Sequence, residues 1–183
     1  MKSVIKVLFI VLIFVSCQHD STKNEYNRLI SSTIIISNSL ESYIKGVKQL
    51  DSKNDERCMK LVSYINHNRC NSCVISKLSD WNKIIAYSHI FKGKLKIYFI
   101  LSPPSDELNS VLLSLKSSSF DYPVVIDKRN EFKKLNPQIP DNTKLNTFLL
   151  DENNKVVMIG DPRNSSKLYS LFKTIVENNI MYK

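Results

Sequence analysis

The chain has 183 residues, of which 43% are hydrophobic and 23% are charged, and these values are typical of a globular protein. Three glycines and six prolines exclude the collagen-like and low-complexity classes. The formal net charge is +9, but the basic residues are interspersed with acidic ones and form no aromatic-interleaved stripe. We therefore predict no nucleic-acid partner.

The N-terminal stretch MKSVIKVLFIVLIFVSC has the order of a signal peptide. Lys2 and Lys6 come first, then an apolar run from Val7 to Val15, then a small residue before Cys17. The run of nine apolar residues is shorter than the roughly 20 residues that span a bilayer as a helix. We therefore predict export of the chain, with residues 1–16 as the signal peptide and no lasting membrane-spanning helix.

Phe14-Val15-Ser16-Cys17 resembles the lipobox of bacterial lipoproteins. In that class the chain is cleaved before the cysteine and the thiol carries a lipid. The resemblance implies a lipoprotein anchored to a membrane through Cys17 and facing the periplasm or the cell surface. A conventional signal peptide with an incidental cysteine is the alternative. Both interpretations place the protein outside the cytoplasm, where disulfides form and persist.

Three segments follow the signal peptide. Residues 17–30 are polar and lack an apolar period, which predicts a flexible tether. Residues 31–58 contain a β-branched run at 33–36 and an ambiguous stretch from Leu40 to Leu50, and we assign them to an N-terminal strand/helix extension. Residues 59–183 are predicted to form the domain itself.

From residue 59 onward the apolar pattern is regular. It predicts a strand that ends at a Cys-x-x-Cys pair, then a helix, a second strand, a second helix and a third strand. The segments are KLVSYIN, CVISKLSDWNKIIAYSHIF, LKIYFIL, a helix from about residue 103 to Leu115, and YPVVI.

The last part of the domain is predicted to contain a short helix, a hairpin and a terminal helix. The short helix covers Asn130 to Leu135, and the hairpin strands are NTFLL and KVVMI, joined by polar turn residues. Asn164-Ser165-Ser166 can cap the last helix. Its apolar face is predicted to comprise Leu168, Leu171, Phe172 and Ile175.

The Cys70-Asn71-Ser72-Cys73 stretch lies at the predicted strand-to-helix junction. Unpaired N–H groups at a helix start, together with Arg69, favour the thiolate of Cys70. Cys73, three residues on, is expected one helical turn inward, where it can close a disulfide and release a bound substrate. The spacing thus predicts Cys70 as the nucleophile and Cys73 as the resolving cysteine, without a cofactor.

A metal site is the main alternative for the cysteine pair, because Cys58 and His67 stand nearby in the sequence. If residues 59 to 66 form one strand, Cys58 lies roughly 25 Å from its far end, at about 3.3 Å per residue. The fourth ligand is then missing and a Cys58–Cys70 disulfide is out of reach. We predict no metal and a partly buried thiol at Cys58.

The order of elements and the stretches CNSCVISKLSDW, FDYPVVID and LNTFLLDENNKVVMIGDP resemble the thioredoxin-like superfamily, in particular its exported redoxin and TlpA-like lipoproteins. The resemblance covers roughly residues 59–178. It implies an α/β fold of three layers, a central mixed sheet flanked by helices. It also implies that Cys70 attacks and Cys73 resolves, that residues 148–151 flank the site, and that Asp127 is structural.

The sequence departs from that family at two positions. Arg69 replaces the common tryptophan, which makes the site more electropositive, and Leu145 occupies the position of the family's cis-proline. A cis bond before a residue other than proline costs about 2.5–4 kcal/mol, so we expect a trans peptide there. His67 stands where related peroxidases carry threonine, so peroxidase activity is not predicted.

We predict a membrane-anchored, extracytoplasmic thiol:disulfide oxidoreductase. Its partners are expected to be cysteine-containing exported proteins and a thiol/disulfide exchange partner. Arg69, Asn71, Ser72 and Leu145 form the environment of the pair. A thioredoxin-fold binding or structural lipoprotein with an inert disulfide is the alternative, and Leu145 favours it. The direction of exchange stays open.

Overall fold

The structure of the chain is a computed structural model that describes residues 21–50, 57–66 and 71–181. The predicted signal peptide and Cys17 lie outside the described residues. Across the described ranges, no helix combines the length and the apolar character needed to cross a membrane.

A seven-stranded mixed sheet forms the centre of the molecule. The strands are β1 Glu41–Ile44, β2 Val47–Lys48, β3 Met59–Ile65, β4 Leu95–Leu101, β5 Val124–Ile126, β6 Thr147–Leu150 and β7 Val156–Ile159. Their order across the sheet is β2-β1-β5-β4-β3-β6-β7. Strand β3 is parallel to β4 and antiparallel to β6, while β4 is parallel to β5. The strands predicted from the apolar runs are confirmed, and these runs are buried on both faces of the sheet.

Helices cover both faces of the sheet, so the predicted three-layer α/β architecture is confirmed. One face carries α2, α3, α4 and α6, and the other carries α1 and α5. The helices are α1 at residues 21–29, α2 Asn71–Ile75, α3 Asn82–His89, α4 Leu108–Ser117, α5 Glu131–Leu135 and α6 Ser166–Ile180, with 3-10 turns at Leu78–Trp81 and Thr143–Leu145.

The segment expected to be a flexible tether, residues 17–30, differs from that expectation where it is described. Residues 21–29 are helical, and Leu29 at the end of α1 is fully buried against the sheet. Because Leu29 is the one fully buried side chain of these nine residues, the stretch shows no apolar period. Residues 31–50 carry the β1–β2 hairpin, which pairs with β5 and so extends the same sheet.

The single long helix predicted after the cysteine pair is three shorter pieces. Helix α2 ends at Ile75, a 3-10 turn follows at Leu78–Trp81, and α3 begins at Asn82. Ser79 and Asp80 lie in the turn, and such side chains compete with helical backbone bonds. The break brings Leu78 and Trp81 into the core beside Ile84.

The turn of the β1–β2 hairpin predicts a large effect for one small substitution. Lys45 and Gly46 both have positive φ, 49° and 72°, as a two-residue hairpin turn requires. A Cβ atom at Gly46 would lie 2.5 Å from the carbonyl oxygen of Leu112 in α4. We expect Gly46→Ala to lower the free energy of unfolding by about 2–3 kcal/mol, measured by urea denaturation.

Gly93 provides the matched control for this substitution. Its φ is also positive, at 89°, but a Cβ atom added there would meet no other atom within 4 Å. Gly93→Ala therefore carries only the cost of the left-handed backbone, about 1–2 kcal/mol. Equal losses for the two variants would show that the contact with Leu112 has no effect.

Candidate active site

The candidate site lies at the carboxyl end of β3, near the middle of the sheet. Strand β3 ends at Ile65, and the described chain resumes at Asn71, where α2 begins. The N–H of Tyr64 donates to the carbonyl of Asn146 over 2.9 Å, which ties the loop before β6 to the end of β3. The chain thus brings α2 and this loop to the same end of the sheet.

An open cleft of about 660 Å³ occupies this end of the sheet. Four segments line it: the end of β3, the stretch from α2 through the 3-10 turn, the loop into β6 and the loop after β7. The lining residues are Ser63, Tyr64, Ile65, Cys73, Val74, Lys77, Leu78, Trp81, Thr143, Lys144, Asn146, Thr147, Asp161, Arg163 and Asn164.

Cys73 is the cysteine that borders the cleft within the described residues. It is disulfide-bonded, and its expected position one helical turn inward of Cys70 stays a prediction. Cys73 is the third residue of the five-residue helix α2, and its side chain is exposed. A thiol-bearing molecule can therefore approach this disulfide from solvent.

Cys58 lies far from the cleft. It is a buried thiol that directly precedes Met59, the first residue of β3. A seven-residue strand spans roughly 23 Å at about 3.3 Å per residue. Cys58 is therefore at the opposite end of β3 from Cys73 and cannot share a metal ion or a disulfide with it. It is also more deeply buried than the sequence suggested, at 4% exposure.

The other predicted site residues are only partly covered by the described ranges. Arg69 and Cys70, with His67, lie outside the described residues. Asn71 is the first residue of α2, and Ser72 is exposed beside Cys73. The roles of these residues therefore stay predictions.

Leu145, at the family's cis-proline position, lies in the 3-10 turn Thr143–Leu145. No peptide bond is cis in the parts of the chain that the structure describes. Its N–H donates to the carbonyl of Asn142 over 3.0 Å, and its side chain packs into the core with Phe148. The leucine therefore anchors the loop from the far side, while Lys144 and Asn146 face the cleft.

One wall of the cleft is a stack of Trp81, Arg163 and Asp161. The guanidinium carbon of Arg163 lies 3.9 Å from the centroid of the Trp81 ring. The Nη2 group of Arg163 donates to Oδ2 of Asp161 over 2.6 Å, and its Nε donates to Oδ1 over 3.1 Å. This arrangement fixes a planar cation in the wall of the cleft.

Neither this wall nor the pair of lysines in the cleft was predicted from the sequence. Trp81 and Arg163 are 82 residues apart in the chain, and the loop after β7 carries no recognised motif. The available signal was indirect: Trp81 is the chain's only tryptophan and falls one short helix after the cysteine pair. The contact itself depends on how the 3-10 turn Leu78–Trp81 and the loop after β7 meet in the fold.

Comparison with solved structures identifies the fold as thioredoxin-like. A Bacteroides thetaiotaomicron protein described as a candidate protein disulfide isomerase aligns with a TM-score of 0.50 and 17% identity, over 83% of this chain and 90% of that chain. A hypothetical protein from Sinorhizobium meliloti aligns with a TM-score of 0.52 and 16% identity, over 81% and 90%.

A candidate electron transfer protein from Aquifex aeolicus aligns equally well, with a TM-score of 0.52 and 14% identity, over 81% of this chain and 96% of that chain. No family model and no curated protein matches the sequence. At these identities the similarity establishes the fold, and the activity has to be argued from the site.

Proposed function

We propose that this chain, with its thioredoxin-like fold, is a thiol:disulfide oxidoreductase that uses Cys70 and Cys73. The observation that carries the proposal is the disulfide of Cys73, which is exposed at the edge of an open cleft. An accessible disulfide beside a cleft can be attacked by a thiolate of another protein. The other described cysteine, Cys58, is buried at the far end of β3, which leaves Cys70 as the partner that fits the three-residue spacing.

The exchange proceeds in two balanced steps. A substrate thiolate attacks one sulfur of the Cys70–Cys73 disulfide, which forms a mixed disulfide and releases the other cysteine as a thiolate. A second substrate thiolate then attacks the mixed disulfide and releases the first cysteine. The substrate dithiol is oxidised to a disulfide, and the protein disulfide is reduced to a dithiol. In the reverse direction Cys70 attacks a substrate disulfide and Cys73 resolves the intermediate.

The proposal includes export and anchoring. The signal peptide at residues 1–16 and the lipobox ending at Cys17 support a lipoprotein that faces the periplasm or the cell surface. The domain at residues 59–183, with its extension at 31–58, would then meet cysteine-containing exported proteins and an exchange partner of the same compartment. Arg69 directly precedes the pair, Asn71 and Ser72 lie between its two cysteines, and Leu145 lies in the turn before β6.

The reduction potential of the protein tests the proposal. The full-length protein, purified from membranes in detergent, is equilibrated with glutathione buffers, and its thiols are counted by alkylation and gel shift. We expect a two-electron transition above about −300 mV. The variant Cys58→Ala is the matched control and should give the same transition. A potential well below about −300 mV would indicate an inert structural disulfide and favour a binding or structural lipoprotein.

A further inference from the structure

The cleft beside Cys73 carries an excess of positive charge. Lys77, Lys144 and Arg163 line it, against one carboxylate, that of Asp161. Asp161 is already bound to Arg163 through two nitrogens. Neither lysine forms an ion pair with any carboxylate of the described residues, and both are exposed. The two lysines are therefore available to a ligand.

The side chain of Arg163 is fixed in a position from which it can bind an anion. Its Nε and Nη2 groups bind Asp161, and its planar face rests on Trp81. Its Nη1 group makes no hydrogen bond within the part of the chain that the structure describes. Because the side chain is already fixed, little conformational entropy is lost when a carboxylate binds to it.

The three cations come from separate elements that surround the same space. Lys77 follows α2, Lys144 lies in the turn before β6, and Arg163 lies in the loop after β7. A volume of about 660 Å³ is within the usual range for ligand sites and suits a short peptide segment. A segment that threads this space would place its cysteine near Cys73 and its neighbouring side chains near the cations.

We propose that the cleft selects substrate segments that carry carboxylate side chains next to the reacting cysteine. This inference rests on the proposed oxidoreductase function and names the substrate class of the same site. Acidic segments gain attraction from Lys77, Lys144 and the outer nitrogen of Arg163, while basic segments are repelled. Neutral segments bind without either effect.

Trp81 makes the recognition measurable without any redox step, because it is the chain's only tryptophan and lies against Arg163. The full-length protein in detergent is titrated with cysteine-free peptides GDSDG, GNSNG and GKSKG, and Trp81 fluorescence is followed. At low salt we expect the acidic peptide to bind at least about fivefold more tightly than the neutral one. The difference should shrink as salt is added, because the charges are at the surface.

Charge reversal in the cleft provides the decisive comparison. The double variant Lys77→Glu/Lys144→Glu should abolish the preference for the acidic peptide or reverse it. The control Lys94→Glu/Lys116→Glu makes the same change in charge at two exposed lysines outside the cleft and should keep the preference. Equal affinities for the three peptides, or equal losses in the two double variants, would overturn the proposal.

The same peptides with cysteine in place of serine, supplied as disulfide-linked dimers, separate recognition from exchange. If the acidic serine peptide binds preferentially but no peptide disulfide exchanges with the reduced protein, the oxidoreductase function fails and the recognition stands. If all three dimers exchange at equal rates and the serine peptides bind equally, the recognition fails and the oxidoreductase function stands.

Discussion

Replacing Cys73 by alanine is expected to abolish catalytic exchange and to leave Cys70 joined to its substrates in mixed disulfides. In the proposed exchange the second cysteine releases the substrate, because a thiol three residues away reacts at an effective concentration far above that of thiols in solution. We therefore expect release to slow by at least about 10³-fold. Covalent adducts are measured on non-reducing gels after acid quenching and alkylation of the producing cells.

Two further variants control this experiment. Cys70→Ala should give no adducts if Cys70 is the attacking thiol, and Cys58→Ala should leave turnover unchanged because Cys58 is buried at the far end of β3. Adducts on Cys70→Ala but not on Cys73→Ala would show that Cys73 attacks and Cys70 resolves. This outcome has to be tested because the side chain of Cys73 is exposed. Adducts on neither variant would contradict exchange through this pair.

Replacing Asp127 by alanine is expected to lower the free energy of unfolding by about 3–5 kcal/mol. Asp127 is 2% exposed, and its carboxylate accepts hydrogen bonds from the N–H groups of Glu131 and Phe132 and from the Ser102 hydroxyl, over 2.8–3.1 Å. Its carboxylate therefore caps α5. Asn130, directly before the helix, has a left-handed backbone conformation, and its side chain forms no cap. Alanine would take this acceptor away from all three donors.

Loss of the Asp127 hydrogen bonds should also affect the end of β3 that borders the cleft. Phe132 contacts the ring of Tyr64, with centroids 5.2 Å apart, and the Tyr64 hydroxyl donates to Asn130. Burial, together with the charge of Asp127, raises the pKa of Tyr64, so this phenol stays neutral and remains a donor. These contacts link the cap of α5 to the strand that leads to the cysteine pair.

Urea denaturation of the full-length protein measures the effect of the cap. Asp127→Asn keeps one acceptor oxygen and should lower the free energy of unfolding less, by about 1–2 kcal/mol. Asp121→Ala removes a carboxylate from an exposed position and should change the stability by at most about 0.5 kcal/mol. If Asp127→Ala were no more harmful than Asp121→Ala, the cap would not contribute to stability.

The central part of the fold could be predicted because its strands are continuous apolar runs. LKIYFIL and TFLL are buried on both faces, so a run of apolar residues without a period is sufficient to identify them. The β1–β2 hairpin was ambiguous because only Tyr43 of its strand residues is buried, and its place in the sheet comes from pairing with β5, about 80 residues away.

Helical faces were predicted less accurately than strands. Leu171 was assigned to the buried face of α6 but is 47% exposed, whereas Val176 is fully buried beside Phe172. Leu168 and Ile175 pack at the margin of the core. A 3.6-residue period fits several neighbouring stripes, and only the position of the helix on the sheet decides which stripe is buried. Ser165 does cap α6, as predicted, through the N–H of Leu168.

The candidate site also has one part that could be predicted from the sequence and one part that could not. The cysteine pair is contiguous, so its spacing and its place after a strand are readable from the sequence alone. The cleft is built from four separate segments, and the cation held on Trp81 comes from a loop 82 residues away. Charge selection by a cleft depends on such distant contacts and is not visible in one local motif.

The burial of Leu29 sets how far the domain can move from a membrane. With a lipid on Cys17, as proposed, three residues separate the anchor from the first described helical residue, at position 21. Even fully extended, the four steps along the chain from position 17 to position 21 reach only about 14 Å. The domain would then be held close to the lipid headgroups. Its exchange partners would have to come to the membrane surface, and substrates still bound to that membrane would be favoured over those that diffuse freely.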